Sequence, residues 1–402
     1  MTSKLKNNPK SKQHKSSSKL TNDSKQKSKN SKPTTSPKQS KNKNLFRKFI
    51  ICLVLFVFLT VSSAYGIARW YISQNSSTPM KVGVTFIPNY AIYYNLDPKQ
   101  TMRALIDDLQ IKQFRLVSYW NDYEPEPNKY DFTNLDWQFK YAEDAGAKVS
   151  LAIGLRQPRW PECHMPKWAE EMPKEQWQNE LKDYMKVVID RYKNSPALES
   201  YQLENEFFMK VFGICPDHSR DRLIDEYNFV KQQDSKHPVI ISRSNNAAGI
   251  PLGEPRPDEF GISIYKRVWD KTITKRYFEY PFPAWFYGFL AGAGKIVTGK
   301  DMIIHELQAE PWAPTETKLA SLAEQDKSLD ARRLRQRFRY GEATGMREMY
   351  LWGAEWWYWR KAKHNDDGVW NVAKEEIHRI QQNNCQIKTS KTSADQLSKL
   401  NC

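Results

Sequence analysis

From Lys81 onward the chain alternates short, nearly continuous apolar runs with longer stretches in which apolar residues recur every three or four positions. The runs suit strands buried on both faces, and the periodic stretches suit helices that lay one face on a core. Eight runs follow in order: Val82–Ile87, Phe114–Tyr119, Lys148–Ile153, Leu198–Leu203, Val239–Arg243, Phe260–Tyr265, Met302–His305 and Glu348–Trp352. Strands and helices in this alternation predict an α/β protein whose parallel sheet closes into a (β/α)8 TIM barrel over residues 81–382.

The helical stretches carry their own punctuation. Asp97 before Pro98 reads as an N-cap with proline in the first turn, and Met102, Leu105, Ile106 and Leu109 then share a face. Leu135, Phe139 and Ala142 repeat the pattern and stop at Gly146. Trp177, Leu181, Tyr184 and Val188 mark a third helix, Leu223, Tyr227 and Val230 a fourth, Leu334 and Phe338 a seventh, and Val372, Glu376 and Ile380 a last one. Between Asn245 and Asp258 the Gly- and Pro-rich sequence predicts an irregular or very short crossover. In the long connection from Asp270 to Lys300, the apolar run Trp285–Ala293 reads as a core-facing helix.

Ahead of the barrel the pattern changes twice. Residues 49–68 form a 20-residue uncharged stretch between Lys48 and Arg69, long enough to cross a bilayer as a single transmembrane helix. A signal peptide cleaved near Ala64 is the rival reading. Residues 1–48 are Lys-, Ser- and Asn-rich and predict a disordered tail; residues 69–80 read as a linker, and 383–402 as a polar C-terminal tail.

Charge follows the same division. Of the formal +16, the first 48 residues supply +14, so the body is close to neutral. A near-neutral body excludes a nucleic-acid-binding fold, which needs a basic face on the folded domain. Fifteen bases before the span predict a cytoplasmic N-terminus and an extracytoplasmic body.

Reactive groups of such a barrel belong at the C-terminal ends of its strands. The fourth run ends in Glu204-Asn205-Glu206, and the seventh leads into Glu306 and Glu310. A carboxylate directly after a buried strand is costly unless solvated, paired or used. Two across one barrel mouth are what glycosidic cleavage requires, one to protonate the leaving oxygen and one to attack the anomeric carbon.

Asn205-Glu206 after the fourth run with a Glu after the seventh resembles the retaining glycoside hydrolases of clan A, the group of cellulases and many β-galactosidases. The resemblance implies that Glu206 is the acid/base, Glu306 the nucleophile and Asn205 the amide that bonds the sugar 2-hydroxyl. It also implies that Arg115 and Tyr265 attend the nucleophile and that Trp352 floors the subsite for the sugar to be cleaved. The loop Tyr119–Asp136 is similar to the one that follows the second strand in that clan. Phe207 stands where the clan usually has Pro, and Gln308 where it has Gly; Glu204 and Glu310 remain rival carboxylates.

Eight tryptophans lie at or just past predicted strand ends: Trp120, Trp160, Trp168, Trp269, Trp312, Trp352, Trp356 and Trp357. Indole faces suit the C–H faces of sugar rings, so this set, Trp120 and Trp312 included, is expected to touch substrate, whereas Trp137 and Trp177 are expected between helices and barrel. Cys163 and Cys215, in loops expected to adjoin, are candidates for a disulfide. With His164 and His218 they are also a weak zinc candidate. The reading is a membrane-anchored extracytoplasmic retaining glycosidase acting on an oligosaccharide, polysaccharide or glycoconjugate, with no cofactor and no metal implied. A non-catalytic sugar-binding relative of the same fold is the rival.

Overall fold

The computed structural model describes residues 38–210, 213–244 and 253–391. Eight strands close into a parallel barrel: β1 (Lys81–Thr85), β2 (Gln113–Val117), β3 (Lys148–Ile153), β4 (Leu198–Leu203), β5 (Val239–Ser244), β6 (Glu259–Ile264), β9 (Asp301–Gln308) and β10 (Glu348–Trp352). A short antiparallel hairpin, β7 (Arg267–Trp269) with β8 (Tyr277–Glu279), occupies the long connection after β6. All eight expected runs are therefore strands of one barrel. The run Trp285–Ala293 falls in the helix Ala284–Thr298, which buries Tyr287, Leu290 and Ala291 as expected. Asp97 caps its helix by accepting from the Gln100 amide at 2.6 Å.

Alternation along the strands divides the residues cleanly. Phe114 and Leu116, Val149 and Leu151, Tyr201 and Leu203, and Phe260 and Ile262 join the main apolar cluster. The intervening Arg115, Ser150, Gln202, Ser242 and Ser263 are buried polar residues. Because strand neighbours point to opposite faces, the second set lines the barrel interior. An interior this polar forgoes part of the usual branched aliphatic packing and has to be satisfied by internal hydrogen bonds.

Two strands carry an extra residue. On β9, Ile304 and Glu306 face consecutive residues of β6, Ile262 and Ser263, which leaves His305 bulged. On β4, Leu198 and Ser200 face consecutive residues of β3. Bulges turn the strand and re-aim the side chains beyond them. The one at His305 sits directly before Glu306, and β9 continues past the expected end at His305 to Gln308.

The flanks differ from expectation in two places. The N-terminal helix is continuous from Lys38 to Asn75, so residues 38–48, expected as part of a disordered tail, are helical. Its stretch from Leu45 is long and apolar enough to cross a membrane. The chain divides into two units, residues 1–57 and 58–402, and the helix contributes to both. Within the second unit the expected linker 69–75 is helical. Ala68 and Tyr71 are buried, and Tyr65 meets Trp285 edge-on at 5.6 Å. Close packing is possible because a Cβ on Gly292 would stand only 3.0 Å from Ile67 and Tyr71.

At the other end, the last helix runs from Gly368 to Lys391, so residues 383–391 are not a loose tail. Asn384 fastens it by donating to the Met80 carbonyl and accepting from the Met80 amide, both at 2.7 Å, beside the first residue of β1. The expected disorder before residue 38, most of the irregular crossover at 245–252 and the chain beyond 391 lie outside the described residues.

Candidate active site

The end of β4 sends the two rival carboxylates there to different partners. Glu204 and Glu206 both have left-handed backbones, φ 53° and 44°. Such angles are uncommon outside glycine and cluster where surrounding structure enforces them. They break strand alternation, so the two side chains part company. Glu204 is fully buried in a structural ion pair with Arg222 at 2.9 Å, and it also accepts from the Leu155 amide at 2.5 Å. Glu226 joins the same guanidinium at 2.6 Å. With every oxygen engaged, Glu204 ties the β3 loop to the helix Arg220–Gln233 and has no lone pair to offer a substrate.

Glu206 faces the other way. Its backbone amide donates to Ser242 at 3.0 Å, and its carboxyl Oε1 is buried without a hydrogen-bond partner among the described residues. Burial first, and then the negative charge of Glu306, push its pKa up to about 7. A carboxyl held protonated near neutrality with one oxygen uncommitted can act as an acid.

Glu306 has the opposite surroundings. Arg115 donates to its Oε1 at 2.8 Å, and the Tyr265 hydroxyl to its Oε2 at 2.6 Å. Both residues expected beside it are therefore in place. The same guanidinium donates to Gln202 at 2.6 Å and to Asn205 Oδ1 at 2.9 Å. Asn205 Oδ1 also accepts from Gln202 at 3.0 Å and from Ser242 at 3.3 Å. These donors fix the amide orientation, so its NH2 end is the one left to bond outward. Gln202 and Ser242 were not singled out in the sequence, because interior polar residues on a strand read there only as gaps in an apolar run.

The second rival, Glu310, is committed too. Arg159 holds it at two points, 2.7 and 3.0 Å, and the Trp352 indole donates to it at 2.9 Å. Arg159 itself lies between two rings, 3.3 Å from the Tyr90 centroid and 4.1 Å from that of Trp352. One face of Trp352 is thus taken by a cation and the residue is buried, which leaves it less open as a sugar platform than expected. Behind Arg159, Glu355 accepts from the Ile87 amide at 2.6 Å and is raised to about 7 by burial.

The expected tryptophan set is only partly available. Trp120 is fully buried, its indole bonded to Glu124 at 2.7 Å and its ring packed on Trp168 and Tyr184. Trp356 and Trp357 are also fully buried, bonded to Gln325 and to the Ala309 carbonyl. These three fill the core because the strand-end helices that carry them fold back onto it. Trp312 is half-buried, 4.9 Å from the Tyr265 ring, and Trp160 is 63% exposed. Trp168 and Trp269 are half-buried as well, so four of the set keep some exposed surface and Trp312 is the one in contact with Tyr265.

Cys163 and Cys215 form a disulfide, which leaves neither thiolate for zinc. His164, a zinc candidate with them, stacks on Tyr119 at 3.6 Å and is pushed down to about 4 by burial. Among the described residues no His, Cys, Asp and Glu group could hold a metal ion. Cys385 is also disulfide-bonded.

One further acid belongs here. Glu162, in the β3 loop, accepts from the Asn205 amide at 3.2 Å, and burial and then the charge of Glu206 raise it to about 8. In the sequence it is one acid in a proline-rich loop, with no periodicity to single it out.

Comparison with known proteins adds the fold's relatives. No family model matches the chain. Over 181 residues it is 22% identical to beta-galactosidase 14 of Arabidopsis thaliana, a stretch covering 40% of this chain and a fifth of that protein. Among solved structures, an endo-beta-1,4-xylanase of glycoside hydrolase family 10 from Gloeophyllum trabeum superposes with a TM-score of 0.50, at 15% identity over 75% of this chain and 97% of the other. A family 42 beta-galactosidase from G. stearothermophilus gives 0.51, at 11% identity over 76% and 57%. A GH5 subfamily 18 enzyme from Streptomyces cattleya, solved with GlcNAc, gives 0.53, at 10% identity over 75% and 80%. What the chain shares with these enzymes is their fold, an eight-stranded parallel barrel.

Proposed function

We propose that the protein is a retaining β-glycosidase. The observation that carries this reading is the contrast between the surroundings of Glu306 and Glu206. Glu306 is clasped by Arg115 and Tyr265, while Glu206 is buried, protonated near neutrality and open at one oxygen. Glu206 protonates the departing glycosidic oxygen while Glu306 attacks the anomeric carbon and forms a glycosyl ester. Glu206, now ionised, then takes a proton from water, whose oxygen displaces Glu306. Asn205 orients the sugar through its 2-hydroxyl. The substrate is a carbohydrate, and an oligosaccharide, polysaccharide or glycoconjugate would fit equally with the chemistry.

The test is covalent labelling with a panel of activated 2-deoxy-2-fluoro glycosides, followed by peptide mapping. Labelling of Glu306 is expected. Labelling of another carboxylate, or none across gluco, galacto, manno and xylo forms, would overturn the reading.

We further propose that the apolar N-terminal helix anchors the chain in a membrane, with the Lys-rich tail in the cytoplasm and the barrel outside. The basic flank supports this orientation. The Cys163–Cys215 disulfide supports an oxidising compartment. Protease added to intact cells should remove the barrel, and protection until lysis would reverse the topology.

A further inference from the structure

The loop that carries Glu162 is built with unusual care for a surface connection. Glu162 has a left-handed backbone, φ 73°, and so does Arg159 at 81°. Their conformation is closed by the Glu162 amide donating to the Arg159 carbonyl at 2.8 Å and the Gln157 amide to the Glu162 carbonyl at 2.8 Å.

The loop after β4 is stitched onto this turn. Asn205 N donates to the Arg156 carbonyl at 2.6 Å, Ile214 N to the Pro161 carbonyl at 3.0 Å, and Cys163 is bonded to Cys215. Gly213, at φ 90°, passes so close that a Cβ there would stand 2.6 Å from the Glu162 Cβ. Strained non-glycine residues held by several independent ties point to a positioned side chain.

That side chain ends beside Asn205. Asn205 Oδ1 is saturated by Arg115, Gln202 and Ser242, so its amide nitrogen must bond in the remaining direction, and there it meets Glu162 Oε2 at 3.2 Å. Arg156 approaches the same oxygen at 3.8 Å and keeps its Nη2 buried without a partner among the described residues. Glu206 Oε1 is likewise buried without a hydrogen-bond partner among the described residues.

We propose that Glu162 is a specificity-determining residue that accepts a hydrogen bond from the 2-hydroxyl of the sugar being cleaved, the same hydroxyl to which Asn205 donates. The inference rests on the glycosidase reading above. A hydroxyl is matched to this pair because it accepts and donates at once, whereas hydrogen can do neither. The carboxyl offers an acceptor oxygen in either protonation state. As positive charge builds at the anomeric carbon, the adjacent 2-hydroxyl becomes a better donor, so the contact strengthens toward the transition state. Removal of the acceptor should therefore be felt in kcat/KM for sugars that carry the hydroxyl and hardly at all for those that lack it.

The experiment compares 2,4-dinitrophenyl β-glycosides of galactose, glucose, mannose and xylose with their 2-deoxy counterparts, using wild type, Glu162→Ala and Glu162→Gln. Glu162→Ala should compress the ratio of kcat/KM between hydroxy and deoxy substrates by about tenfold to a hundredfold. Its rate on the deoxy compound should stay within roughly threefold of wild type. Glu162→Gln, which keeps one acceptor oxygen, should restore part of the ratio.

Equal loss on both substrates would assign Glu162 a structural part and overturn the proposal, as would an unchanged ratio. Thermal melts of both variants identify a folding defect. If Glu162→Ala is unfolded, the Glu162→Gln ratio decides, and an unaltered ratio there again overturns the role. Failure of wild type to hydrolyse any of the glycosides would instead overturn the glycosidase reading, and this proposal with it.

Discussion

Arg159 grips both oxygens of Glu310, and the pair is sealed between the rings of Tyr90 and Trp352. A carboxylate so engaged cannot approach an anomeric carbon without stranding a buried guanidinium. Its role is to neutralise Arg159 and to hold the Trp352 indole.

The first prediction follows from that pairing. Glu310→Gln should leave Glu306 as the labelled residue in a 2-fluoro glycoside experiment while destabilising the protein by about 1–3 kcal/mol, because it breaks a partly buried pair and leaves the Arg159 charge uncompensated. Denaturant melts and peptide mapping on the same sample check both parts. Loss of labelling in a variant that still melts cooperatively would return Glu310 to candidacy as nucleophile.

Glu206→Gln and Glu306→Gln should fail differently, since the two residues act at different stages. Without the acid, substrates with poor leaving groups should slow by about 100-fold to 10,000-fold, whereas activated aryl glycosides should still form the glycosyl ester. Without the nucleophile both classes should be lost. Steady-state and burst kinetics on an alkyl and a dinitrophenyl glycoside separate the cases, and identical losses in both variants would contradict the roles.

The raised acids also set the pH response. Glu206 must hold its proton to help a leaving group depart, and burial followed by the charge of Glu306 keeps it there up to about 7. Hence kcat/KM for an alkyl glycoside should fall as pH rises through about 7, while that for a dinitrophenyl glycoside should not show this limb. Stability moves in the same direction. Between the ordinary carboxyl value of 4.5 and about 7 to 8, folded Glu206 and Glu162 hold protons that the unfolded chain has released. The folded state therefore binds more protons and is weakened as pH rises across that window. Melts at stepped pH should show the decline, and Glu162→Gln should flatten its upper part.

Much of the site was legible because burial on both faces leaves strands nowhere to hide a charge. Glu206 and Glu306 stand out for that reason, and Arg115 and Tyr265 follow from their positions on neighbouring strands. What could not be read is what local backbone geometry decides. The left-handed turns at Glu204 and Glu206 send one acid to Arg222 and the other to the barrel mouth, and no periodicity forecasts them. The bulge at His305 aims Glu306, yet in sequence it only shortens an apolar run. Trp120 looked like a sugar platform because strand-end position does not say which way a helix folds back. Glu162 was passed over because its importance comes from a contact with Asn205 across 43 residues of chain.

The proposed mechanism also predicts a stereochemical outcome. One guanidinium, that of Arg115, bonds Glu306 at 2.8 Å and Asn205, the residue preceding Glu206, at 2.9 Å. One planar group thus ties Glu306 to the side chain of the residue next to Glu206. The charge of Glu306 is also the largest influence on Glu206 after burial. Retaining enzymes hold their acids about 5–5.5 Å apart, whereas inverting ones need about 6.5–9.5 Å to admit water beneath the sugar. Direct attack by Glu306 should therefore give a first product that keeps the β configuration, visible by proton NMR in the first minutes of hydrolysis before mutarotation mixes the anomers. An initial α product would require a water between Glu306 and the anomeric carbon, and would mean that the bond is broken by a different pair.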